Sequence, residues 1–245
     1  MTAPEQTGSD LGPGDTTVPI QTWGVWDFVL CWLAGVFASL VAAVPIAANP
    51  ELDTRLYLFA VLLPAQAAVT VAAVVRVSRV KGLGRLELDF GRLRPSTGDW
   101  PALAMGFALV WVLSFATGLL FVLADLNETP QAIVREVEQR ADIGLRLVMV
   151  AGVAVLAPFS EELLFRGLLL RALMRRTSSG WAVFGSAAAF GVVHLLDPGA
   201  WPVVPGLVAL GAVLGVLALR SGSLAQPIAV HAVYNLTALL LSFIG

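Results

Sequence analysis

Charged residues are scarce in this chain: Asp, Glu, Lys and Arg make up 13% of its 245 residues, against about 25% in an ordinary soluble domain. That scarcity excludes a soluble globular domain, whose surface needs far more charge. The charge that remains, 15 Lys and Arg against 17 Asp and Glu for a net −2, offers no basic field to hold phosphates, so no nucleic-acid partner is expected. Cysteine is nearly absent. Cys31 alone forms neither an intrachain disulfide nor a thiolate metal cluster. Residues 1–22 lack Lys, Arg and any apolar core, so they are no secretory signal and read as a disordered cytoplasmic tail.

What fills the chain instead is hydrophobic: 58% of residues, with a mean hydropathy of +0.83. Runs of roughly 20 apolar residues, enough for one membrane crossing, extend over Trp26 to Ala48, Leu56 to Val75, Trp100 to Ala124, Ile143 to Met174, Trp181 to Leu196, Val203 to Leu219 and Leu224 to Ile244. The expectation is an all-α, polytopic transmembrane helical bundle of about seven spans, forming one domain over residues 23–245. Arg76, Arg79, Lys81, Arg85, Arg92, Arg94, Arg171, Arg175, Arg176 and Arg220 fall on one side of such a bundle, and only Arg55, Arg135, Arg140 and Arg146 on the other. Positive charge stays in the cytoplasm, which puts the N-terminus there and predicts a multi-pass protein of the cell membrane. Thr129 followed by Pro130 reads as the start of a short surface helix on the opposite side.

Ionisable side chains at membrane depth cost several kcal/mol each on insertion scales, so they are functional candidates by default. In the fourth span, APFSEELLFRGLLLRAL carries Glu161, Glu162 and Arg166; the fifth ends FGVVH, with Phe190 and His194; the seventh holds HAVYN, with His231 and Asn235. The two histidines are the only ones in the chain. Glu162 and Arg166 are four apart and share a helix face, so they can pair. Glu161, about 100° around the helix, is left free for chemistry. Phe190 with His194, and His231 with Asn235, repeat the same spacing. Glu161 and His194 stand almost equally far in sequence from the turn at Ser178, so antiparallel helices would bring them level. Pro158 has no amide hydrogen and is expected to leave the carbonyl of Ala154 unpaired, wetting the helix nearby.

These groups suit hydrolysis of a peptide bond by activated water, with Glu161 as base, His194 sharing the water, and His231 and Asn235 donating to the oxyanion. A variant places zinc on Glu161, His194 and His231, two imidazoles and a carboxylate being a catalytic ligand set, although no HExxH pattern is present. The alternatives are a non-proteolytic membrane binding or transport protein in which the same buried charges form an ion or proton relay, and a structural salt-bridge network that fixes helix packing. Against transport, the spans show no duplicated half.

EELLFR, FGVVH and HAVYN resemble the EExxxR, FxxxH and HxxxN motifs of the CPBP intramembrane protease family, which groups type II CAAX prenyl proteases with the ABI family of bacteriocin-processing and immunity proteins. The resemblance places the protease motifs within residues 143–245. It implies an intramembrane endopeptidase acting on a membrane-associated peptide or protein, with Glu161 as base, His194 assisting, His231 and Asn235 at the oxyanion, and Glu162, Arg166 and Phe190 supporting. The family's mechanism is described both as metal-dependent and as glutamate-dependent without metal.

Overall fold

The computed structural model describes residues 21–49, 53–123, 143–196 and 198–243. The tail up to residue 20 and the surface helix expected from Thr129 lie outside the described residues. Within them the elements are helices only. The seven expected spans are all present, here labelled α1 (Val25–Ala48), α2 (Leu58–Lys81), α3 (Trp100–Leu123), α4 (Ile143–Met174), α5 (Ser179–Val193), α6 (Val204–Ser221) and α7 (Ala225–Ser242). Six are long and apolar enough to cross a membrane, whereas the apolar part of α7 is the shorter run Ala225–Leu241. At 1.5 Å per residue that run spans about 26 Å, less than the ~30 Å of hydrocarbon, which suits a helix whose polar side chains face the bundle.

One boundary differs from the sequence expectation by more than a few residues, for a physical reason. The second helix continues past Val75 to Lys81, because Arg and Lys are good helix formers and cations suit a helix C-terminus. The fifth ends at Leu196 as expected, its last turn, His194–Leu196, being 3₁₀ rather than α.

One end of the bundle is closed by the basic loop between α2 and α3. A short helix, Leu86–Phe90, folds back so that Phe90 is fully buried. Arg171 of α4 donates to the Phe90 carbonyl at 2.9 Å, and Arg175 to that of Trp23. Asp89, also buried, accepts from Ser78 Oγ, the Leu83 amide and Gln21. Asp99 accepts from both terminal nitrogens of Arg92 and from Gln226 at the start of α7. Gly91 adopts φ 74° where a Cβ would strike the Gly222 carbonyl, so the loop and the α6–α7 turn touch backbone to backbone. The start of α1, the ends of α2 and α4 and the α6–α7 turn therefore meet at this end, as an alternating seven-helix path requires.

The central helix is α4, packed against α1, α2, α5, α6 and α7. Leu163 to Leu170 are all buried. Since lipid is as apolar as leucine, such a core is held by close packing and satisfied polar groups rather than by expulsion of water. The α5–α6 contact shows it: a Cβ on Gly211 would stand 2.9 Å from the Cα of Ala187.

Candidate active site

The polar residues sit on a helix that is not uniform. In α4, α-helical turns alternate with two π-helical stretches, Gly152–Leu156 and Leu163–Leu169, which flank Ala157–Glu162. In the first, the Ala157 amide reaches the Gly152 carbonyl, five residues back. Continuing that register, residue 158 should donate to Val153, but it is a proline and has no hydrogen to give. Asn235 of α7 supplies the missing donor, its Nδ2 lying 2.9 Å from the Val153 carbonyl. The orphaned carbonyl is thus that of Val153 rather than the expected Ala154, because the π register shifts the bond by one residue, and a side chain fills it.

Glu162 and Arg166 pair at 2.8 Å, both side chains wholly buried. Arg166 also donates to the Gly211 carbonyl of α6 at 3.0 Å, and its guanidinium lies 4.7 Å from the Phe190 ring centre. The same carboxylate oxygen that takes Arg166 accepts from His231 Nδ1 at 2.9 Å. A buried carboxylate shared by an arginine and a histidine ties α4 to α7 and fixes the imidazole so that Nε2 points the other way. It points at Glu161, whose Oε2 is 3.7 Å distant, too long for a direct hydrogen bond.

Glu161 differs from its neighbour in the way its place on the helix requires. Its side chain is 29% exposed where that of Glu162 is 0%, and among the described residues it makes no hydrogen bond. It lines a cavity of about 310 Å³ between α1, α2, α4 and α5, together with Ser160 and His194. His194 places Nδ1 2.7 Å from the Phe190 carbonyl. A carbonyl only accepts, so Nδ1 carries a hydrogen, which in the neutral ring leaves the lone pair on Nε2. Phe190 is buried and meets both imidazoles edge to face, at 5.0 Å for His194 and 5.6 Å for His231.

All seven residues singled out in the sequence thus converge around the middle of α4. Sequence reasoning passed over Gln66 and Thr70 of α2, which line the same cavity; the signal was available, two polar residues four apart in an apolar run. The cavity wall on α2 and α5, Leu63 to Thr70 and Val193 to Leu196, lies in the halves of those helices away from the basic loops. Among the described residues no three His, Cys, Asp or Glu side chains converge as a metal-holding group. Glu161 and His231 approach each other, but His194 does not join them in one ligand set. A larger groove of about 450 Å³ between α3 and α7, lined by Trp100, Phe107 and Val233 among others, has no titratable group and offers no chemistry.

Compared with known proteins, residues 143–237 match the family model described as type II CAAX prenyl endopeptidase Rce1-like. The matched segment runs from the start of α4 to Thr237 in α7 and includes every residue of the cluster. It bears out the resemblance to the CPBP and CAAX proteases that the three motifs carry, and with the bundle it supports an intramembrane endopeptidase of CAAX-protease type in a multi-pass membrane protein. No curated protein and no solved structure matches the chain.

Proposed function

We propose that this protein hydrolyses a peptide bond of a membrane-associated protein or peptide with water activated by Glu161 and His194. The observation that carries the reading is the division of labour between adjacent carboxylates: Glu162 is buried and doubly bonded, while Glu161 opens onto the cavity that His194 shares. In the reaction, Glu161 takes a proton from water as the water oxygen attacks the peptide carbonyl carbon, and His194 Nε2 accepts the water's other hydrogen to orient it. The carbonyl becomes an oxyanion. His231 donates to it from Nε2, which requires the doubly protonated imidazole because Nδ1 already donates to Glu162; the second hydrogen of Asn235 Nδ2 is the other donor. The proton held by Glu161 passes to the nitrogen as the C–N bond breaks. Residues 23–245 act as one catalytic domain. The basic end faces the cytoplasm, which puts the N-terminus there, in the cell membrane.

The test is cleavage of quenched peptides, prenylated and unprenylated, by purified protein in proteoliposomes. Glu161→Gln keeps the shape and removes the base, so the rate should fall at least about 10²-fold while the protein still inserts and melts at an unchanged temperature. Loss of folded protein, or cleavage unaffected by the change, overturns the assignment. A chelator that abolishes cleavage, with stoichiometric zinc in the untreated protein, would replace the metal-free step with one on a metal.

A further inference from the structure

The cavity that Glu161 and His194 line also carries polar groups that this reaction does not use. Gln66 and Thr70 belong to α2, four residues apart, and both line the cavity. Ser39 of α1 donates to Gln66 Oε1 at 3.1 Å, which holds the carboxamide in one orientation and leaves the two hydrogens of Nε2 uncommitted among the described residues. Thr70 is only 5% exposed, yet its hydroxyl has no hydrogen-bond partner among the described residues. It lies where Gly35 has no side chain; a Cβ there would collide with Thr70 Oγ1. An unpartnered hydroxyl and amide at membrane depth cost free energy unless something binds them.

Their spacing says what. Four residues of helix rise about 6 Å, close to the ~6.7 Å at which carbonyls recur along one edge of an extended peptide. A helical substrate would present no free carbonyls, its own turns having used them. We infer that Gln66 and Thr70 form a two-rung ladder that holds the backbone of an extended peptide segment across the cavity from Glu161 and His194. The substrate class is therefore a polypeptide segment unwound at the site and recognised by its main chain. Side-chain preference is left to the apolar wall, where Trp32 and Phe165 lie. This inference rests on the proposed peptide hydrolysis for its purpose, but peptide binding can be measured without it.

The experiment titrates a fluorescein-labelled apolar peptide against Glu161→Gln protein in detergent by anisotropy, alongside the same peptide locked as a helix by a side-chain staple. Adding Gln66→Met or Thr70→Val should weaken binding about threefold to tenfold each, the range for one hydrogen bond. Thr70→Ser should restore it, and the stapled peptide should bind more weakly than the free one. In the active background, the same changes should raise KM and leave kcat in place. Affinities within twofold of the parent, equal binding of the stapled peptide, no binding by the parent, or a fall in kcat at constant KM each overturn the ladder. If the wild-type protein cleaves no peptide, the proposed hydrolysis fails, while the titration still decides the ladder.

Discussion

Removing either charge of the Glu162–Arg166 pair should damage the bundle more than removing both. The pair is wholly buried at 2.8 Å, and Glu162 also anchors His231. Arg166→Gln strips the carboxylate of its cation, and Glu162→Gln leaves a buried guanidinium beside the Phe165 and Phe190 rings. Breaking a buried pair by one partner costs about 3–5 kcal/mol; at roughly 2–4 °C per kcal/mol for a domain of this size, each single variant should melt about 6–20 °C lower in detergent. The double variant strands neither member of the pair, and Glu162→Gln still leaves a side-chain oxygen to accept from His231 Nδ1. It forgoes the contact of Arg166 over Phe190, worth up to about 2 kcal/mol when desolvated, and the bond to the Gly211 carbonyl, so it should not reach wild type. It should nevertheless be no less stable than either single variant. A thermal-unfolding cycle on the four proteins measures this, with a coupling of at least about 2 kcal/mol expected. Simple addition of the two destabilisations would refute the pairing, and with it the physical ground for leaving Glu161 as the free carboxylate.

Two further outcomes follow from the site. Asn235→Val should cost about 1–3 kcal/mol by stranding the Val153 carbonyl; in a Pro158→Ala background, where residue 158 regains its amide hydrogen, the same change should cost markedly less, and equal costs in the two backgrounds would show that Asn235 does not stand in for the proline. ¹⁵N spectra of labelled protein should show neutral His194 in the Nδ1-protonated tautomer, reverting towards a mixture only if its bond to the Phe190 carbonyl is absent.

Helical arithmetic made the three pairs and the split between Glu161 and Glu162 legible in the sequence, since spacing of four and a 100° step survive any tertiary context. The level match of Glu161 and His194 also held, because it needs only a short turn at Ser178. The bond from His231 to Glu162 spans 69 residues and has no local signal. Nor has the π register of α4: a sequence assumed to be uniformly α-helical assigns the lost bond to Ala154, and only the five-residue closure at Gly152 moves it to Val153. The burial of Phe90 depends on a loop folding back beneath α4, which its charge-rich text, LELDFGRLR, disguises as a solvated connection.

The wide turn at Gly152–Leu156 also has a consequence for chain length. A turn closed over five residues stores one more residue than an α-turn while keeping the helix on either side in phase. A relative with one residue fewer between positions 152 and 156 would close that turn tightly and still aim its two glutamates as this protein does, so a one-residue gap in an alignment there would not mean a displaced site. Nor would it change the duty of the asparagine on the last helix: the proline would still leave the carbonyl four residues before it without a donor, and the same carboxamide would fill it.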